Sequence, residues 1–148
     1  MKALLQRVTQ AKVEVAGQTV GAIDSGLLIF LGITPSDNET IARKLAQRVA
    51  GYRLFSDAQD KMNLSLSDIE GGALVVSQFT LAADTNSGRR PSFSSAAPPV
   101  QAEPLYEAFV AELRRLTINV ATGEFGADMQ VALTNDGPVT FLLDTEKT

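Results

Sequence analysis

The sequence contains no cysteine and no histidine in 148 residues. Without cysteine there is no disulfide, no thiolate nucleophile and no Cys-ligated zinc within the chain. Without histidine the commonest general base, the commonest metal ligand and the Ser-His-Asp triad are all removed. Tryptophan is absent as well, and no apolar run approaches the roughly 20 residues of a membrane-spanning helix. The segment Met1–Arg7 turns polar too early for a secretory signal, so a cytoplasmic protein is expected. The formal net charge of −4 and pI near 4.8 exclude the broadly basic surface that non-specific nucleic-acid binding requires. A local basic patch meeting one end of an RNA stays open. Any catalysis must use hydroxyls, carboxylates, lysine, backbone groups or the substrate itself.

The length and the 45% apolar content suit one domain, residues 1–148, with a core that needs no covalent staple. Lys2 to Ala16 reads as a strand, with a hairpin turn at Gly17-Gln18 into Thr19–Ile23. Gly26–Ile33 reads as a buried strand. Ser36 with Glu39 matches a capping box. The helix behind it carries Ile41, Leu45 and Val49 on one face. Arg53-Leu54-Phe55 suggests a short strand, followed by a polar turn over 56–60, with Lys61–Leu64 leading into a second loop. A central strand begins near Leu74. A long loop, Asp84–Pro99, precedes a second helix within Val100–Leu116, where Pro104 is tolerable only in the first turn. Thr117–Ala121 is a short strand. Phe125 to Leu133 alternates apolar and polar residues as a strand does. Asn135–Thr140 reads as a turn signal between two apolar strands, and after the Gly137-Pro138 turn Val139, Phe141 and Leu143 alternate again. The expectation is one strand-rich mixed α/β domain with barrel-like sheets and two helices.

Two stretches hold more chemistry than packing demands. Ser77-Gln78-Phe79-Thr80 follows a buried apolar run. It could offer a hydroxyl and backbone N–H donors for an oxyanion at a strand end. The plainer reading is that Ser77 and Thr80 only satisfy neighbours across a sheet. Gly137-Pro138 has the plain reading of a hairpin turn, beside one in which bare main chain approaches a ligand closely. Arg89 and Arg90, adjacent on the long loop, suit phosphate contacts or a solvated charge pair equally well. Glu124, Asp128 and Asp136 match no metal-ligand spacing, so no metal site and no cofactor is expected.

Taken together, Ser77–Asp84, Gly88–Phe93 and Asn135–Thr140 resemble the D-aminoacyl-tRNA deacylase family. Gly51–Phe55, Lys61-Met62-Asn63 and Phe125–Met129 fit the same pattern, so the resemblance spans essentially the whole chain. It implies a homodimer of barrel-like α/β subunits with two active sites at the interface. The implied activity is hydrolysis of the ester joining a D-amino acid, or glycine, to the terminal adenosine of tRNA, with no membrane or DNA partner. By the same resemblance Ser77, Gln78, Phe79 and Thr80 line the catalytic pocket. Gly137 and Pro138 would form a cis peptide reaching the partner subunit's pocket. Ala102 and Phe125 would sit by the aminoacyl group and the adenine, and Arg7 would brace the Gly-Pro segment. An aminoacyl ester beside a ribose hydroxyl is already activated, which suits a chain lacking strong side-chain bases. A covalent Thr80 nucleophile, and a non-catalytic module binding tRNA ends or D-amino acids, are the alternatives.

Overall fold

The computed structural model describes residues 1–146. Among them eight strands and three α-helices follow one another as β1 (Lys2–Val15), β2 (Gln18–Ile23), β3 (Gly26–Gly32), α1 (Glu39–Gly51), β4 (Phe55–Ser56), β5 (Met62–Leu64), α2 (Leu66–Ile69), β6 (Gly72–Ser77), α3 (Pro99–Arg115), β7 (Asn119–Thr122) and β8 (Gln130–Asp144). A 3₁₀ turn, Phe79–Ala82, follows β6 directly. Among the described residues no helix is long and apolar enough to cross a membrane.

The main sheet runs β2-β1-β3-β6-β7, with β8 on the other edge of β1. β1 is antiparallel to β2, β3 and β8, whereas β3, β6 and β7 are parallel. One edge of β1 serves two partners: its first half pairs β3 and its second half pairs β2. The sheet therefore curls until β2 approaches β7. A Cβ on Gly21 would stand 2.3 Å from the Thr122 carbonyl oxygen, so glycine is what lets the two backbones close the barrel.

Strand alternation divides the core in two. Leu28, Leu74 and Val76 point into the barrel with Val8 and Val13. Leu27, Ile29, Leu31, Ala73 and Val75 point outward beneath α1 and α3. The two helices lie side by side and parallel, Gln101 reaching Pro35 at one end and Gln47 reaching Glu112 further along. Glu112 accepts from Gln47 Nε2 and twice from the Arg115 guanidinium, all at 2.7 Å. Chiefly through those Arg115 hydrogen bonds its carboxyl is held down to about 2.

Several local expectations are corrected. Asn38, not Ser36, caps α1, its Oδ1 accepting from the Ile41 N–H at 3.0 Å. The preceding residue, Asp37, is buried and ties the Met1 amino group and the Thr34 N–H, so the chain enters the helix two residues later. A third helix, α2, starts from a capping box at Ser65 and Asp68 where a loop was expected. The first hairpin turns at Ala16-Gly17, both at positive φ, one residue earlier than expected. The short strand by Leu54 is Phe55–Ser56, and residues 62–64 pair with it. Pro104 lies in the second turn of α3, because that helix already begins at Pro99. Its ring denies only the Val100 carbonyl a partner, and Val100 is exposed to water.

The largest correction concerns the second motif. Residues 125–129 are not strand; Gly126 turns there with φ +77°. Residues 130–144 then form one continuous strand along β1, and Gly137-Pro138 is not a hairpin turn. Val8 pairs Asn135 and Gln6 pairs Thr140, so four residues of β8 bulge opposite Arg7 alone. Asn135 spans that bulge, accepting from the Val139 N–H at 2.7 Å and donating to Thr140 Oγ1 at 3.1 Å. At its tip the Gly137-Pro138 peptide bond is cis.

Candidate active site

The parallel strands β3 and β6 end together beside the start of α3, and a cavity of about 760 Å³ opens at those carboxyl ends. Strand carboxyl ends in α/β sheets are a common ligand position, since the loops that follow are free to vary. The cavity gathers Ser77, Gln78 and Phe79 from the end of β6, Ala102 from α3, and Phe125 with Met129 from the turn before β8. Five of the residues singled out in the sequence thus meet in one place. Thr80 is the next residue along, and its hydroxyl accepts a hydrogen bond from the Gln78 amide.

The turn Phe79–Ala82 exists because β6 has to stop: the Gln78 N–H makes the last sheet bond, to the Leu31 carbonyl at 2.8 Å. The turn's own bonding begins with the Leu81 N–H donating to the Gln78 carbonyl at 3.1 Å. The N–H groups of Phe79 and Thr80 therefore have no acceptor within the turn. The Phe79 ring stands 58% exposed, 5.2 Å from the Phe93 ring across the cavity mouth. The partner that the Thr80 hydroxyl has among the described residues is an amide donor, which is no base.

The cavity wall is stiffened from behind. Tyr106 donates its hydroxyl to the Val75 carbonyl at 2.8 Å, and its ring packs 5.8 Å from Phe125. Burial pushes the Tyr106 hydroxyl up to about 12, so it remains a donor at neutral pH. Nothing in the sequence marked Tyr106 except its place one turn after Ala102 on the buried face of α3. Arg89 and Arg90 sit exposed on the loop that returns through Phe93. Among the described residues no group of three His, Cys, Asp or Glu side chains is arranged to hold a metal.

Gly137, Pro138 and Arg7 do not line this cavity. Arg7 pairs with Leu27, at the opposite end of β3 from Leu31, and β8 runs from cavity-lining Val131 to Gly137. At roughly 3.3 Å per residue these paths put the bulge about 13–20 Å from the cavity of its own chain. Arg7 links the bulge to the segment before β4: Nε donates to the Asp136 carbonyl and Nη1 to the Leu54 carbonyl, both at 3.0 Å. A Cβ on Gly137 would meet Val139 Cγ2 at 2.6 Å and the Val139 nitrogen at 2.9 Å, and φ there is +141°. Glycine is required, and the tip of the bulge is bare main chain. Asn135 and Thr140 flank the bulge and are joined across it by a hydrogen bond, a role the composition of the motif does not reveal.

The family model for D-Tyr-tRNA(Tyr) deacylase matches residues 4–144. A D-aminoacyl-tRNA deacylase of Pseudomonas fluorescens is 60% identical over 145 residues, covering 98% of this chain and all of that protein. One from Colwellia psychrerythraea is 61% identical over 143 residues, 97% of this chain and 99% of its own. Among solved structures, one described as the c-Myc DNA unwinding element binding protein aligns with TM-score 0.92 and 39% identity, over 98% of this chain and 99% of its own. A probable eukaryotic D-amino acid tRNA deacylase aligns with TM-score 0.83 at 17% identity, over 96% and 97% of the two chains, a likeness of fold. With the matched model spanning both motifs and all the residues that line the cavity, the chain belongs to the D-Tyr-tRNA(Tyr) deacylase family.

Proposed function

We propose that the protein hydrolyses the ester of D-aminoacyl-tRNA, and of glycyl-tRNA, releasing the amino acid and the tRNA. The observation that carries this reading is the cavity at Ser77-Gln78-Phe79, set beside uncommitted backbone donors in a chain of this family. The N–H groups of Phe79 and Thr80 would stabilise the oxyanion formed when water attacks the ester carbonyl; such a donor is typically worth about 10²–10³ in rate. The cavity walls would hold the aminoacyl group against Ala102 and the adenine against Phe125. Positioning of this kind, with the neighbouring ribose hydroxyl assisting, suits a site without a strong base.

The active unit is a homodimer. Gly137-Pro138 lies too far from its own cavity to act there but stands free at the surface, ready for a neighbour's. Among the described residues β8 pairs β1 only, leaving a long outer edge on which Leu142 is 50% exposed. Long exposed edges with apolar side chains favour pairing with another chain. In the dimer, the bare main chain at Gly137 stands against the substrate's α-carbon. An L side chain would run into it, a D side chain would point outward, and glycine would pass. Selection by exclusion needs no favourable contact with any one D side chain, so the range of D-amino acids is broad. The protein acts in the cytoplasm, where charged tRNA is found.

The test is single-turnover release of free amino acid from a D-aminoacyl-tRNA. Time-dependent release, beyond the spontaneous rate and persisting in chelator, supports the reading. Retention of the intact ester in a stable complex would make the protein a binding module.

A further inference from the structure

The cations of this acidic chain are not evenly spread. α1 turns Arg43, Lys44, Gln47 and Arg48 to solvent, and Arg53 follows just beyond its end. Arg43 is paired with Glu39 one turn away. Lys44, Arg48 and Arg53 have no carboxylate within salt-bridge distance among the described residues; Asp68 faces Arg53 only from further off. Glu112, the acidic group behind the helix, is already neutralised by Arg115.

Between these cations lies a shallow groove of about 520 Å³ lined by Gln47, Arg48, Gly51, Tyr52, Arg53 and Phe141. Its floor is aromatic, Tyr52 and Phe141 meeting edge-on at 5.8 Å, with the Arg48 guanidinium 6.0 Å over the Tyr52 ring. Guanidinium groups over an aromatic floor suit a chain of phosphates and sugars. Next to groove-lining Arg53 in the chain is buried Leu54, whose carbonyl Arg7 ties to Asp136 and so to the Gly137 bulge. Groove and bulge are therefore one unit at the amino end of the parallel strands.

We propose that this groove binds the backbone phosphates of the substrate tRNA, next to its 3′ end, while the aminoacyl adenosine occupies the cavity of the other subunit. The inference rests on the dimer reading above: where the bulge of one subunit enters the neighbouring cavity, the groove attached to it borders the mouth. The RNA leaving that mouth then passes between Arg89 and Arg90 of one subunit and Arg48 and Arg53 of the other. An acidic protein thereby presents positive charge to RNA where the RNA must run.

The test compares Arg48→Gln/Arg53→Gln with the native protein on two substrates, a D-aminoacyl-tRNA and a D-aminoacyl ester of adenosine, across a salt series. Each lost phosphate contact should reduce the logarithmic salt slope by about 0.7–0.9, so two contacts give about a 7- to 12-fold deficit at low salt that narrows over a fourfold salt increase. The expected result is that loss on tRNA with an unchanged rate on the adenosine ester. Arg48→Lys should keep the slope, since it keeps the charge. Because Arg53 also donates to Asn63 at 3.3 Å, Lys44→Gln/Arg48→Gln provides a second pair that leaves that contact alone. An unchanged tRNA rate and slope in both pairs, or an equal fall on both substrates, overturns the proposal. Failure of the native protein to cleave either ester would instead overturn the hydrolase reading. Binding of uncharged tRNA to native and variant proteins then still decides whether the groove holds phosphate.

Discussion

Replacing Arg7 with alanine separates the bracing of the Gly137 bulge from the stability of the fold. Arg7 is 13% exposed in its side chain and makes two charge-assisted bonds, to the Asp136 and Leu54 carbonyls at 3.0 Å. Bonds to charged groups are worth about 1.5–3 kcal/mol each, or about 3–6 kcal/mol for two. The Asp136 carbonyl lies near the surface and can recover water, which reduces the net loss to about 2–3 kcal/mol. The Asp136 carboxylate, 3.7 Å away and 54% exposed, adds little. For a chain of this length a loss of that size lowers Tm by about 4–12 °C. Activity should fall further than stability, because a misplacement near 1 Å in a positioning segment costs about 10²-fold. The control is Leu45→Ala in the core under α1, expected to lose about 2–5 kcal/mol through its cavity. Thermal unfolding and single-turnover deacylation are measured on both variants, well below either Tm. Arg7→Ala should lose about two orders of magnitude in rate that Leu45→Ala does not. Arg7→Lys, able to reach one carbonyl but not both, should fall between. Equal rates in Arg7→Ala and Leu45→Ala would refute the bracing role.

Three further outcomes are expected. Thr80→Ser should be nearly native and Thr80→Ala should keep substantial single-turnover activity, because N–H donors survive a side-chain change; an acyl group trapped on Thr80 would establish a nucleophile instead. Mixing subunits impaired in the cavity (Ala102→Trp) with subunits impaired in the bulge (Gly137→Ala) should restore about a quarter of native activity. Half of the randomly re-paired dimers are mixed, with one intact site in two; a site held within one subunit would gain nothing on mixing. Glu112, whose carboxyl is lowered from 4.5 to about 2, should stabilise the fold fully above pH 4.5 and lose that contribution as pH falls toward 2. The gap in urea midpoint between native protein and Glu112→Gln should shrink over that window, and a gap independent of pH would assign its cause to packing alone.

Strand and helix periodicity was enough to locate β3, α1, β6 and α3, because each buries one face or both and little else competes. The end of β6 at Ser77-Gln78 was legible for the same reason: apolar residues stop where the cavity begins. The bulge was not. Asn135-Asp136-Gly137-Pro138 has the composition of a hairpin turn, and only the pairing of β8 with β1 on both sides of it keeps the strand running. That pairing is non-local, and its register is invisible in a window of ten residues. Arg7 was attached to the bulge by resemblance; its two carbonyl bonds, to residues 47 and 129 positions away, supply the physical cause. A tyrosine on a buried helix face, such as Tyr106, reads as core in the sequence, and only the fold brings its hydroxyl to the Val75 carbonyl. The four residues of α2 carry no periodicity, and Ser65 and Asp68, which spell its cap, are its one mark in the sequence.

Selective hydrolysis by exclusion is tested in a single comparison by matched tRNAs carrying one amino acid in D form, the same amino acid in L form, and glycine. The measurement is the single-turnover rate of ester loss by the native protein. D-aminoacyl and glycyl esters should both be cleaved, and the L ester should be slower by at least about 10²-fold, the scale on which a displaced reacting carbonyl loses rate. Several unrelated D side chains should be accepted at similar rates. Cleavage of the L ester as fast as the D ester, or a strict requirement for one D side chain, would contradict exclusion by bare main chain at Gly137.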